Sequence, residues 1–252
     1  MVVFRQMKVG AWCRVDPAGP TTRSRGFWPT VPGVQRLIGW PYAASSDAAT
    51  GIQPIMTLLI LGLILFLGVH SARVFAEPWR QGFIARRGEM AWKGVYSGVA
   101  LVGIVLLSIG YGQARQQPVV LWPSPGWTRH LAALLTLVAF VMLAAAYVPR
   151  NHVKAALKHP MVLGVKVWAS AHLVANNTLA DVLLFGGFLV WAVLSFRAAR
   201  GRDRAAGTVY PAGEWLRTAI VVFVGVGAWA AFAMKLHLSL IGVAPFVVRS
   251  AG

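Results

Sequence analysis

Six histidines are the main chemical resource of this 252-residue chain, and their positions separate them. His70 and His172 lie inside long apolar stretches, GLILFLGVH and MVLGVKVWASAH. His130, His152 and His159 lie at the edges of such stretches, and His237 lies late in the last one, near Lys235. Imidazole can ligate a metal, carry a proton or donate a hydrogen bond. An ionisable group within an apolar span is a functional candidate by default. At 1.5 Å per helical residue, His70 falls ~8 Å from the end of its span and His172 ~16 Å into its own from the same side, so with tilt their depths overlap. Two such imidazoles on different helices can supply both axial ligands of a haem. The plainer reading is that each hydrogen-bonds across helices.

Other chemistries have less support. Cys13 is the sole cysteine, so neither a disulfide framework nor a thiolate zinc site is available. There is no Gly-rich phosphate loop, serine nucleophile motif or HExxH. Glu77, Glu89, Asp181, Asp203 and Glu214 fall at or beyond the ends of apolar runs rather than at mid-depth, which argues against ion pumping. Asn176, Asn177 and Asp181 mark a turn between two runs. Trp79, Trp92 and Trp215 at one interface and Trp122 and Trp127 at the other read as an aromatic belt. Trp168, Trp191 and Trp229 lie deeper and read as helix packing.

The elements that must position these residues follow from composition. With 57% hydrophobic and 12% charged residues, the chain is no ordinary soluble domain, which carries about a quarter charged residues. Six runs approach the ~20 residues needed to cross a bilayer. They are Met56–Phe75, Lys93–Gly112, Arg129–Val148, Met161–Ala175, Thr178–Phe196 and Arg217 to about Leu240. Backbone amides in lipid must be satisfied within the segment, so the expected fold is all-α: a polytopic bundle of six transmembrane helices, two stretches of it, Pro118–Trp127 and the segment around Pro211, being loops.

The short fourth run is read as a crossing because the basic loops on either side of runs four and five require two crossings between them. Twenty-four Lys and Arg against seven acids give +17, but this charge lies between apolar runs and points to topology, not to nucleic acid. Fourteen basic residues, among them Arg73, Arg80, Arg86, Arg87, Lys93, Arg150, Lys154, Lys158 and Arg197 to Arg217, fall on one side. Four (Arg115, Arg129, Lys235, Arg249) fall on the other. The positive-inside rule then puts the basic loops in the cytoplasm and both ends of the bundle in the periplasm. Residues 1–55 carry six basic residues but no signal-peptide core or sustained period, and read as sequence upstream of a start at Met56 or as a disordered N-terminal tail. Residues 56–246 form the membrane domain.

GVHSARV at Gly68–Val74, WKGVYS at Trp92–Ser97, GYGQAR at Gly110–Arg115 and the block from Tyr147 to Phe188 resemble the NnrU family of bacterial membrane proteins. The resemblance runs from about Met56 to Arg204 and more weakly to Phe246. It implies a multi-pass inner-membrane protein associated with denitrification, specifically nitrite and nitric oxide reduction. The family is similar to the plant 15-cis-zeta-carotene isomerase, a haem b enzyme whose ligating histidines lie in a GLHS motif and at the end of a Cys-Leu-Ala-His motif after RHP. The resemblance therefore implies haem b on His70 in GVHS and on His172, which ends Ala169-Ser170-Ala171-His172 after Lys158-His159-Pro160. Ala169 replaces the isomerase cysteine, so a ligand switch through that residue is excluded. KHPMVLG also resembles the RHPxYxG motif of membrane methyltransferases, whose downstream aromatic and glutamate motif has no counterpart here.

Two functions compete: a haem protein with redox-linked or isomerase chemistry, and a non-catalytic accessory or assembly factor for the nitrite and nitric oxide reduction machinery. Reading Met56 as the start generates a direct expectation. Tryptic peptides of the native protein should include none from residues 1–55, although Arg23 and Arg36 are there to release them. One well-supported peptide from that region, found by mass spectrometry, overturns it.

Overall fold

The computed structural model describes residues 54–246, so the expectation for residues 1–55 falls, up to residue 53, outside the described residues. Among the described residues the chain is helical, with one isolated β-bridge between Val120 and Thr178. Ten α-helices follow in order: α1 Pro54–His70, α2 Ala72–Phe75, α3 Glu77–Arg87, α4 Glu89–Ala114, α5 Thr128–Tyr147, α6 His152–Leu157, α7 Pro160–Ala175, α8 Leu179–Ala205, α9 Trp215–Ala231 and α10 His237–Ile241. A π-helical turn, Phe232–Leu236, joins the last two into one rod.

Four helices are long and apolar enough to cross a membrane: α4, α5, α8 and the rod Trp215–Ile241. The other two apolar helices, α1 and α7, are shorter. Large apolar side chains point outward along α4 and α9, with Leu101 64% and Phe223 81% exposed. Lipid is the solvent that tolerates such a surface.

Several expected boundaries move. The first run, expected as one helix to Phe75, breaks at Ser71, whose amide is shared between Leu67 O at 2.9 Å and Gly68 O at 3.0 Å. The fifth run, expected to end at Phe196, continues to Ala205 and ends before Gly207, whose φ of 58° suits glycine. Arginines at 202 and 204 in its last turn favour the negative end of the helix dipole. The loop expected between the first two runs contains α3, which starts with Glu77 and Pro78 and ends with Arg86 and Arg87. Its Trp79 and Phe83 pack edge-on against Trp92 of α4.

The six apolar rods pack in the order α4, α1, α8, α7, α5, α9. Glycines set the closest approach. A Cβ on Gly103 would lie 2.7 Å from the backbone nitrogen of Phe66, and one on Gly110 or Gly62 would fall on the backbone of Leu59 or Leu107. Without a hydrophobic force between helices in lipid, this backbone proximity supplies the association through van der Waals contact. Gly225 of α9 meets Val141 of α5 in the same way, and Gly164 of α7 lies 3.1 Å from Ala139 O when given a Cβ. Paired contacts, 59 with 110 and 66 with 103, 63 with 187 and 70 with 191, 172 with 185 and 168 with 188, 139 with 164 and 124 with 175, and 136 with 229 and 141 with 225, show that α1, α5 and α8 run one way and α4, α7 and α9 the other.

Side chains tie off the helix ends. Asn151 is fully buried; its Nδ2 donates to Ala145 O and Val148 O, and its Oδ1 accepts from Lys154 N, closing α5 and opening α6 at once. Thr178 and Asp181 form a capping box at the start of α8, and the free carboxylate oxygen of Asp181 accepts from Tyr111 of α4 at 2.5 Å. The carboxylate is consumed by structure, as expected of an acid at a span end.

Gly103→Ala should therefore destabilise the detergent-solubilised protein by about 1–3 kcal/mol, the usual cost of overpacking. Gly98→Ala on the same helix, with nothing within 4 Å of the new methyl, should leave thermal unfolding unchanged or raise it slightly. Equal effects of the two substitutions would remove the glycine contact from its role.

Candidate functional site

His70 is the last residue of α1, and its ring folds back so that Nδ1 donates to Phe66 O at 2.6 Å. His172 sits one turn before the end of α7 and repeats the arrangement, with Nδ1 donating to Trp168 O at 2.9 Å. A carbonyl can only accept, so each neutral ring carries its proton on Nδ1 and keeps the Nε2 lone pair. Neither Nε2 has a hydrogen-bond partner among the described residues. Metal-ligating histidines commonly hold the second nitrogen on a backbone carbonyl in this way, fixing tautomer and ring orientation.

The surroundings are aromatic. The His70 ring lies 4.2 Å from Phe66, 5.1 Å from Tyr96 of α4 and 6.0 Å from Trp191 of α8. His172 stacks on Phe185 of α8 at 4.5 Å and lies 5.0 Å from Trp168. Phe188 joins the two groups, 5.7 Å from Phe66 and 5.4 Å from Trp168. The residue count put His172 about 8 Å deeper than His70, and the structure keeps that difference, so the allowance for tilt does not close it. His70 is level with residue 191 of α8 and His172 with residue 185, an offset of six residues, or roughly 9 Å.

As donors to one haem iron the pair fits in chemistry and is spread in space. Two anchored imidazoles with open Nε2 atoms lie at either side of one packed aromatic cluster, and Phe66, Phe188 and Trp168 stand between them and would have to turn aside. Two buried polar atoms on the following part of α8 also lack partners, Nε1 of Trp191, whose ring meets His70, and Oγ of Ser195 one turn further on. Each such atom costs about 1–3 kcal/mol unless something else satisfies it.

The remaining histidines have other occupations. His130 is exposed. His152 meets the Thr218 hydroxyl at 2.9 Å through its ring and 3.0 Å through its backbone amide, and lies 4.3 Å from the ring of Trp215. His237 donates to Val243 O at 2.7 Å. His159 is the one whose surroundings spacing did not anticipate. Its Nε2 lies 2.8 Å from Asp203 Oδ2, and Tyr210 donates to the same oxygen at 3.0 Å. The cluster fastens the start of α7 to the end of α8. Burial, followed by the Asp203 carboxylate, raises the Tyr210 phenol above its usual range, so it stays protonated and donates. The available signal was Asp203 itself, the lone acid in the Arg197–Arg204 run.

Nearby, Glu214 accepts from Arg217 and pairs with Arg150, and these hold its carboxyl below the usual range, the Arg217 hydrogen bond first. Arg150 and Lys158, at either end of α6, adopt φ of 55° and 66°, conformations that L residues hold only when their surroundings impose them. Among the described residues no three His, Cys, Asp or Glu side chains converge as a metal-ion set.

A family model described as NnrU protein matches residues 58–245. No curated protein and no solved structure matches the chain. The match covers all the helices that carry the aromatic cluster and both of its histidines, and the chain belongs to the NnrU family.

Proposed function

We propose that this NnrU protein crosses the bacterial inner membrane six times and holds a b-type haem on His70 and His172, serving redox-linked or isomerase chemistry associated with nitrite and nitric oxide reduction. The observation that carries the reading is the matched pair of imidazoles, each pinned through Nδ1 to the carbonyl four residues back, each leaving Nε2 free, and both set in one aromatic cluster. A bound haem would supply one-electron redox chemistry at its iron. The chain's own contribution is to fix the tautomers, exclude water with Phe66, Trp168, Phe185 and Phe188, and present two neutral nitrogen donors. Ala169, fully buried, offers no second ligand next to His172.

Six crossings are supported by the alternation of helix direction along the chain, from α1 through α4, α5, α7 and α8 to α9, in which α1 and α7 take their places as full members. Their 17 and 16 residues give about 25 Å each, enough for a slightly thinned bilayer. The basic loops then lie in the cytoplasm.

The second reading, an accessory factor for the reduction machinery, draws on the basic end. There Arg202 donates to Arg73 O, and Glu214 N to Arg150 O, so the loops form a linked surface instead of separate tails.

Two measurements test these proposals. A reporter fused after Arg204 should be cytoplasmic and one after Pro125 periplasmic; the same side for both sinks the six-crossing topology. Protein purified from haem-replete cells should show a sharp Soret band and resolved visible bands on reduction. His70→Ala and His172→Ala should each alter or abolish that spectrum, and His130→Ala should leave it intact. Absence of haem absorption, with stable co-purification of a reductase component, would favour the accessory role. The two histidines would then act within the helix packing, where substitution costs about 1–2 kcal/mol or less.

A further inference from the structure

A cavity of about 230 Å³ lies at the basic end of the helices, and no residue of the aromatic cluster lines it. Its walls are Pro149, Arg150, Lys154, Ala155, Tyr210 and Pro211, so it sits where the chain leaves α5, turns through α6 and returns ahead of α9. Lys154 fixes its depth, because Nζ reaches back to donate to Ala146 O in the last turn of α5 at 3.0 Å. Tyr147, the last residue of α5, and Trp215, the first of α9, are 77% and 79% exposed. Tyrosine and tryptophan standing outward at the ends of spans mark the headgroup layer. The cavity therefore lies where hydrocarbon gives way to phosphate.

Charge around this space is not balanced. Arg150 and Arg217 share Glu214, and Asp203 is taken by His159 and Tyr210. Arg150 spends only Nε on Glu214, and Lys154 and Lys158 meet no acid among the described residues; Lys158 lies over the Tyr210 ring at 6.0 Å instead. Two cations in the wall and a third behind it thus call for an anion from outside. The wall is already set for one. Arg150 is held at φ 55°, its carbonyl accepting from Glu214 N at 2.8 Å, and it is followed by the fully buried Asn151 with its three hydrogen bonds. Backbone strain of this kind persists where the surroundings over-determine it, as at ligand clamps.

The remaining walls decide between anions. Pro149, Ala155, Pro211 and the ring of Tyr210 are apolar surface, which a free, hydrated phosphate gains nothing by touching. A phospholipid brings a phosphate ester for the cations and a glycerol with acyl chains for the apolar wall. A choline or ethanolamine headgroup would add another cation beside Arg150, Lys154 and Lys158, so a headgroup of net negative charge fits best. We propose that this cavity binds one anionic phospholipid by its phosphate, to which Arg150 and Lys154 donate, with the glycerol against Pro149, Ala155 and Pro211. The lipid then fastens the end of α5 to the segment that leads into α9. The proposal uses the membrane setting alone and stands or falls separately from the haem reading.

The test titrates the full chain, stripped of lipid in a neutral detergent, with phosphatidylglycerol and with phosphatidylcholine, and counts bound lipid by native mass spectrometry. Phosphatidylglycerol should bind at one tight site, about tenfold more strongly than phosphatidylcholine. Arg150→Gln and Lys154→Gln should each weaken it about tenfold. Arg87→Gln, an exposed basic residue at the end of α3, should stay within about twofold of wild type. Ala155→Leu keeps every charge and fills the cavity, so it should also weaken phosphatidylglycerol while unfolding, without lipid, close to the wild-type temperature. Equal binding of the two lipids overturns the proposal. So does an equal loss in Arg87→Gln, or full binding in Ala155→Leu, since either assigns the effect to diffuse attraction by the basic loops. Displacement of the lipid by millimolar inorganic phosphate gives the cavity to a soluble anion and overturns the lipid as occupant.

Discussion

Hydrocarbon offers no hydrogen-bond partner, and that constraint organises the molecule. Each backbone amide must close on its own helix, so the apolar runs become rods whose polar groups are met only at their ends. Helix ends therefore carry the informative residues. His70 closes α1, His172 lies in the last turn of α7, Asn151 bridges two ends, and Asp181 caps a third while holding Tyr111.

Between the ends, rods associate by how closely their backbones approach. Gly62, Gly103 and Gly110 bring α1 onto α4 so tightly that no side chain fits between them. The contact leaves another face of α1, with Leu63 and Leu67 at Gly187, to meet α8, whose Phe188 stands between Phe66 and Trp168 of α7. One small-residue interface thus sets the position of α1 in the aromatic cluster it shares with α7 and α8. The few polar atoms in and beyond that cluster are either held by backbone carbonyls, as in the two imidazoles, or left without partners, as in Trp191 and Ser195. In a low-dielectric interior such partnerless atoms are expensive.

The basic end is built on a different principle. There water is at hand, yet the loops are joined by specific contacts: His159 and Tyr210 on Asp203, Arg150 and Arg217 on Glu214, and His152 on Thr218. Two acids placed among many arginines and lysines order the loops and leave most of the positive charge outward.

Membrane class, helical content and the two histidines of interest were readable from residue order, because apolar run length and the placement of charge are properties of the chain itself. The motifs around His70 and His172 also carried the family. The break at Ser71, the extension of α8 to Ala205 and the existence of α3 and α6 were not readable, because they depend on hydrogen bonds at helix ends that composition does not encode. Only the tertiary structure decided that both histidines pack on α8, His70 against Trp191 and His172 against Phe185, since which helices become neighbours follows from packing. It alone left Trp191 Nε1 and Ser195 Oγ without partners, and it joined His159 to an aspartate forty-four residues away, because a hydrogen bond satisfied or missed is a fact about neighbours in space.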